Sequence, residues 1–261
     1  MLLERGMHVD WGRAKTVLII SFVLLNLLLG YQIWSEVRTE LNASNKSAEL
    51  PADKILLMQE KGITLSAALP VETPRMGDIT YLLRSESLDN HELTVIDPPV
   101  DTAIVFNEQE LRRTLGDEIP NISDYAYDVH SSSDGVFVLQ RIVNQRPMFS
   151  TKLELYHSNL KITGYRFKQD IVEIISYGEA TTVLAASKII SSLIDSYLGP
   201  GSVIVDIQLG YYGQIFDSDA QVATPVWRVM LDDGKIYYVD ALSGEVLTNH
   251  ADIVELKDSL E

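Results

Sequence analysis

The chain has 261 residues, 46% hydrophobic and 22% charged, with no cysteine and a formal net charge of −16. That composition belongs to an ordinary folded protein; it excludes a disulfide-stapled scaffold, thiolate metal sites and a lipid-modified cysteine. The strong acidic excess argues against nucleic acid and anionic polymers as partners, leaving proteins or plain solubility.

The first element is the run from Val17 to Trp34, which contains no charged side chain. At 1.5 Å per residue a helix of this length covers most of a hydrocarbon core about 30 Å thick, so a transmembrane helix is expected over 17–34. A cleaved export signal is the rival. Its apolar region is shorter, and a small-x-small site should follow where Tyr31, Gln32, Trp34, Glu36 and Arg38 stand, so the segment reads as uncleaved. Arg5, Arg13 and Lys15 precede the span and hold residues 1–16 in the cytoplasm, with the rest outside. Trp11 on one side and Tyr31 and Trp34 on the other are the expected interface anchors. At 100° per residue Ile19, Phe22, Val23, Asn26, Gly30 and Ile33 share one stripe. Asn26 offers an amide to a neighbouring helix, and Gly30 permits close approach. The bland reading of the same stripe is a single Asn tolerated in a Leu-rich span.

Residues 35–50 are polar and rich in Ser, Asn and Glu, which predicts a stalk. The stretch "PADKILLMQEKG" then predicts a short helix, with Pro51 in its first turn, Gly62 as its stop, and Ile55 and Met58 on one side. "ITLSAALP", "ITYLLRSE" and "TAIVF" read as strands, the last two separated by a turn at Asp97-Pro98-Pro99.

Two similar units follow. In the first, a helix over 107–115 has Asn107 as its cap and Glu110 three residues on. Strands follow over 125–129, 135–142, 149–156 and 161–167. In the second, a helix over 180–197 closes at Gly199-Pro200-Gly201, and strands lie at 203–211, 226–231, 236–240 and 245–247. Asp232-Asp233-Gly234-Lys235 and Leu242-Ser243-Gly244-Glu245 supply the turn chemistry of the last hairpins. Within "IYYVD", Tyr237 and Val239 take one face and Tyr238 and Asp240 the other, one face core and the other for solvent or a partner. The expected architecture is α+β: a membrane helix, a stalk, a first unit over 51–170 and a second over 171–261.

No catalytic, cofactor or metal site emerges. The histidines, His8, His91, His130, His157 and His250, form no ligand or triad spacing. No serine sits in a nucleophile motif. Asp217-Ser218-Asp219 opens like a calcium loop, but Val222 stands where that loop needs glycine.

The stretch "DWGRAKTVLIISFVLLNLLLGYQIW", with Asp10-Trp11, Arg13, Lys15-Thr16, Asn26 and the Tyr31-Gln32-Ile33-Trp34 exit, closely resembles the start of YycI (WalI) proteins of low-GC Gram-positive bacteria. Those proteins start just before the Asp-Trp pair, which makes Met7 an alternative start to Met1. The likeness extends more weakly through the rest of the chain. Trp227-Arg228-Val229 followed by Tyr238-Val239-Asp240 and Gly244 also resembles a PepSY-type module. The YycI resemblance implies a non-enzymatic, cofactor-free accessory protein of the WalK/WalR (YycG/YycF) two-component system, which controls wall metabolism. It implies partners too: the WalK-like histidine kinase and a YycH-like sister protein, met through the membrane helix and outside the cell. The alternative is a PepSY-like extracellular binder or inhibitor of a wall enzyme, with the helix as a tether only.

Overall fold

The computed structural model describes residues 15, 19–26, 28–30, 49–83, 93–169, 171–213, 218 and 220–249. The chain divides into two compact units, Met1–Lys46 and Ser47–Glu261. In the first, Lys15, residues 19–26 and residues 28–30 are helical. Among the described residues, no helix is long and apolar enough to cross a membrane.

The second unit is mixed α+β and mostly sheet. Helix α1 (Ala52–Lys61) starts after Pro51 and ends at Gly62, whose φ of 67° and two backbone hydrogen bonds to Gln59 and Met58 make the stop. Met58 is buried, but Ile55 is exposed, so the apolar face of α1 is narrower than its pattern suggests. Of "ITLSAALP" only β1 (Thr64–Leu65) pairs, parallel to the later strand β11 (Val203–Tyr212). Strands β2 (Arg75–Met76), β3 (Ile79–Leu83) and β4 (Thr94–Asp101) follow.

Two expectations fail here. Asp97-Pro98-Pro99 is no turn between strands; it lies inside β4 as an irregularity between Val95 and Val100, with a cis Asp97-Pro98 bond. Nor is "TAIVF" a strand. It forms a 3-10 turn, because the Asp101 carboxylate accepts from the Ala103 N–H at 2.9 Å and winds the chain there.

Helix α2 (Glu108–Leu115) is capped by Asn107, whose side chain accepts from the N–H groups of Gln109 and Glu110. It covers one face of an antiparallel meander of β5 (Tyr125–Ser133), β6 (Val136–Val143), β7 (Arg146–Ser158) and β8 (Lys161–Lys168). Leu111, Leu115, Ile119, Leu139, Leu153 and Leu155 make the core between them.

A strand absent from the two-unit reading, β9 (Ile171–Tyr177), then pairs with β3, and the short β10 (Thr181–Thr182) with β2. Helix α3 is therefore only Ala186–Ser196, six residues later in its start than expected. It lies against α1, where the Lys54 ammonium meets the Asp195 carboxylate at 2.7 Å. Beneath α3 run β11 (Val203–Tyr212), β12 (Ala220–Leu231), β13 (Ile236–Asp240) and β14 (Val246–Asn249). Ile189, Ile190, Leu193 and Ile194 pack with Trp227, Val229 and Leu231. The Trp227 indole N–H donates to the Leu184 carbonyl at 2.9 Å.

The turns behave as their residues dictate: Gly234 and Gly244 take φ of 88° and 81°, and the Asp240 carboxylate accepts from the N–H groups of Leu242 and Ser243. The two faces of "IYYVD" alternate as expected, Tyr237 and Val239 towards α3 and Tyr238 away from it, but neither is left to solvent, because Tyr237, Tyr238 and Val239 are all buried. Tyr238 lies against Tyr212 and Phe149 on the face away from α3.

The two meanders share one sheet. The junction is β7: Gln140 faces Lys152, but the next residue, Arg141, faces Met148, leaving Phe149 to Thr151 without opposite numbers on β6. This bulge bends β7 so that Met148 pairs with Tyr211 of β11. Gly210 makes the approach possible, since a Cβ there would lie 2.4 Å from the Pro147 carbonyl oxygen.

Candidate functional site

Beside that junction sits Arg228, on β12, with a side chain 2% exposed. Its neighbours Trp227 and Val229 face α3, so strand alternation turns Arg228 to the other face. By the same alternation Leu139 and Leu153 face α2, while Gln140 and Lys152 face away from it. The faces of both meanders that turn away from their helices thus meet at Arg228.

One guanidinium nitrogen of Arg228 donates to Asp128 Oδ2 on β5 and to Ser131 Oγ at 3.2 Å. The other donates to Asp206 Oδ2 at 2.8 Å and Gln208 Oε1 at 2.9 Å, both on β11. The guanidinium lies over the Phe149 ring, 4.7 Å from its centroid, so the bulge of β7 supplies the platform. Asp128 accepts further bonds from Ser131 Oγ at 2.7 Å, Gln140 Nε2 at 3.1 Å, and the N–H groups of His130 and Ser131. A cavity of about 150 Å³ opens beside this cluster.

The electrostatics favour a permanent ion pair. Burial pushes the Asp128 carboxyl up, but the Arg228 hydrogen bond and charge, with Ser131 and Gln140, outweigh it and hold its pKa at about 2. Burial and the repulsion of Arg228 lower the Lys152 ammonium. On the same face, burial of Glu154 is outweighed by Arg166, Lys168 and Tyr156, which lower its carboxyl.

Chemically the network engages both terminal guanidinium nitrogens of Arg228 and both Asp128 oxygens, while Arg228 Nε and Gln140 Oε1 are buried with no hydrogen-bond partner among the described residues. Ser131 Oγ is engaged by Asp128 and Arg228, and the imidazole of His130 has Asp206 as its acidic neighbour, at 3.9 Å. The geometry suits a pin between two halves of a sheet, and it lacks a nucleophile with a base in reach. Among the described residues there is no cluster of three or more His, Cys, Asp or Glu able to hold a metal ion.

Of the residues picked from sequence, Lys15 is exposed on a helical residue, and Ile19, Phe22, Val23 and Asn26 are exposed on one helical stretch. Gly30 is helical, with nothing within 4 Å of where its Cβ would stand. Trp11, Arg13, Tyr31, Ile33 and Trp34 lie outside the described residues, as do Asp217, Asp219, His8, His91 and His250. His157 stacks on Phe137 at 4.3 Å between centroids. The Arg228 cluster was not singled out by sequence. The available signal was an arginine at an inward position of an otherwise apolar strand, which demands a buried acidic partner.

The fold is thus an α+β scaffold with two helix-backed meanders and a charged pin. A family model described as "YycI protein" matches residues 42–242, so the chain belongs to the YycI family. The family is one of regulatory accessory proteins of the WalK two-component system, not of enzymes. No curated protein matches the chain. Among solved structures, it is similar to an uncharacterized protein from Eubacterium rectale ATCC 33656, at 18% identity and a TM-score of 0.30. That likeness spans 43% of this chain and 42% of the other, less than half of either.

Proposed function

We propose that this protein is a single-pass membrane regulator of a WalK-like sensor histidine kinase. Its N-terminus is cytoplasmic, its acidic ectodomain is extracellular in a Gram-positive bacterium, and it acts with a YycH-like partner. The observation that carries this reading is family membership over residues 42–242, joined to an uncharged run from Val17 to Trp34 just before it. The described part of that run supports it: Ile19, Ile20, Phe22, Val23, Leu24, Leu25, Leu28 and Leu29 are helical residues with exposed apolar side chains. A helix apolar all round is suited to lipid.

In this mechanism the stripe of Ile19, Phe22, Val23, Asn26, Gly30 and Ile33 docks against kinase helices. An interhelical contact from Asn26 contributes about 0.6 to 2 kcal/mol, enough to set register rather than to hold the complex. The regulator shifts the kinase between two conformations by binding them unequally, since equal affinity would shift nothing. Kinase autophosphorylation is measured in membranes with the wild-type protein, without it, and with Asn26→Leu. A change in the first comparison, reduced by the substitution, is expected; no change in either comparison removes the mechanism. Exchanging residues 16–34 for an unrelated span separates it from the PepSY-like binder that uses its helix only as a tether, because a tether survives the exchange.

A further inference from the structure

A second cleft, of about 570 Å³, lies away from Arg228 and within the size range of small-molecule sites. It is built from the β6–β7 hairpin tip (Asn144, Gln145, Arg146), β2 with the residues before it, the end of β9 at Tyr177, and Tyr211 of β11. It shares no residue with the membrane stripe, and its chemistry is independent of the regulatory reading.

Three features make it a built recess rather than a chance gap. The walls cross closely: a Cβ on Gly77 would lie 2.6 Å from the Gly178 carbonyl oxygen and 2.7 Å from that of Glu179. The hairpin tip places Asn144 at φ 48° and Gln145 at φ 63°, the pair of positive φ values that a two-residue hairpin turn uses. Glycine would suit the second turn position as well, yet two amide-bearing residues stand there at the rim. The charge, finally, is opposite to that of the protein. Arg146 is bonded to Glu72 at 2.6 Å. Arg75 donates to the Ala180 carbonyl at 2.7 Å and has no carboxylate partner among the described residues. In a chain of net charge −16, the cleft carries one uncompensated guanidinium.

We infer that this cleft binds a small monocarboxylate bearing amide groups, the free C-terminal end of a short peptide, with Arg75 taking the carboxylate. A planar guanidinium matches a carboxylate with paired hydrogen bonds. Asn144 and Gln145 offer donors and acceptors to the adjoining amides, and Tyr177, 57% exposed, offers a ring face. With Arg146 bonded to Glu72, one guanidinium is left to balance a ligand, so the site selects a monoanion over phosphate.

The test is calorimetric titration of the full-length chain in detergent with three probes: acetyl-Gly-Ala-Ala as the free acid, the same peptide as its C-terminal amide, and inorganic phosphate. The free acid is expected to bind about tenfold or more tightly than either of the others. Arg75→Ala is expected to remove that preference without moving the thermal unfolding midpoint, because Arg75 is exposed. Gln145→Gly, which suits the local backbone, is expected to weaken the free acid several-fold while raising stability. Equal binding of acid and amide, phosphate binding as tightly as the acid, an unchanged preference in Arg75→Ala, or no binding of the acid by the wild-type chain would each overturn the assignment.

Discussion

The Arg228 guanidinium and the Asp128 carboxylate, one hundred residues apart in the chain, form a buried ion pair that joins the two meanders across the bend in β7. A buried pair of this kind adds little over an apolar substitute, but breaking it leaves a charge stranded in a poor solvent.

Asp128→Asn is therefore expected to destabilise the protein by about 3 kcal/mol, and Arg228→Met by about as much, since the latter strands both Asp128 and Asp206. The double variant should cost clearly less than the sum of the two, which urea unfolding of all four proteins checks. Additive losses would show that the two groups act independently.

The same pair gives stability a pH dependence. Asp128 titrates at about 2 in the folded chain against about 3.9 unfolded, so its contribution is present above pH 4 and lost as pH falls towards 2. The size is about 2 kcal/mol. The stability gap between wild type and Asp128→Asn should therefore shrink as pH falls from 5 to 2. A gap constant over that range would contradict a lowered carboxyl at this position.

Gly210 tests the seam between β7 and β11. A Cβ there would meet the Pro147 carbonyl oxygen at 2.4 Å and the Phe149 ring at 2.6 Å, the same ring that carries Arg228. Gly210→Ala should cost about 2 to 3 kcal/mol by overpacking. Gly199→Ala, with nothing within 4 Å, should change stability by about 0.5 kcal/mol or less, and thermal unfolding of both variants provides the comparison.

Asn107 accepts from two N–H groups at the start of α2, the helix over the first core. Asn107→Ala should destabilise by about 1 kcal/mol, and Asn107→Asp should restore most of it, because a carboxylate also accepts those bonds and favours the positive end of the helix. Equilibrium unfolding of the two variants is the measurement.

Much of the secondary structure could be read from local chemistry. Asn107 with Glu110 marks a helix start wherever it lies, and Asp233-Gly234 marks a hairpin, because both act within a few residues. Other segments differ from their local signal or carry no assignment from it, because a distant contact or a competing local bond decides them. "TAIVF" has strand-forming residues, but the Asp101 carboxylate wound it into a turn. "IVEIISY" has the β-branched residues of a strand and became β9, yet its partner β3 lies almost a hundred residues earlier, out of reach of any periodicity. One face of "IYYVD" was expected to meet solvent or a partner, yet Tyr238 on the face away from α3 is buried, since Tyr212 and Phe149 cover it from other strands.

By itself the sequence determined the α+β class, the start of α2, the last turns and the family resemblance, all of which depend on residues close together or on a nearly contiguous pattern. Only the tertiary structure decided that the two meanders share one sheet, that three residues of β7 bulge to turn it, and that Arg228 closes on Asp128 and Asp206. The physical reason is range. Capping and turn bonds are paid for by the few residues that make them, whereas burying an arginine is tolerable only when its counter-charges arrive from other strands, and where they arrive is a property of the folded chain.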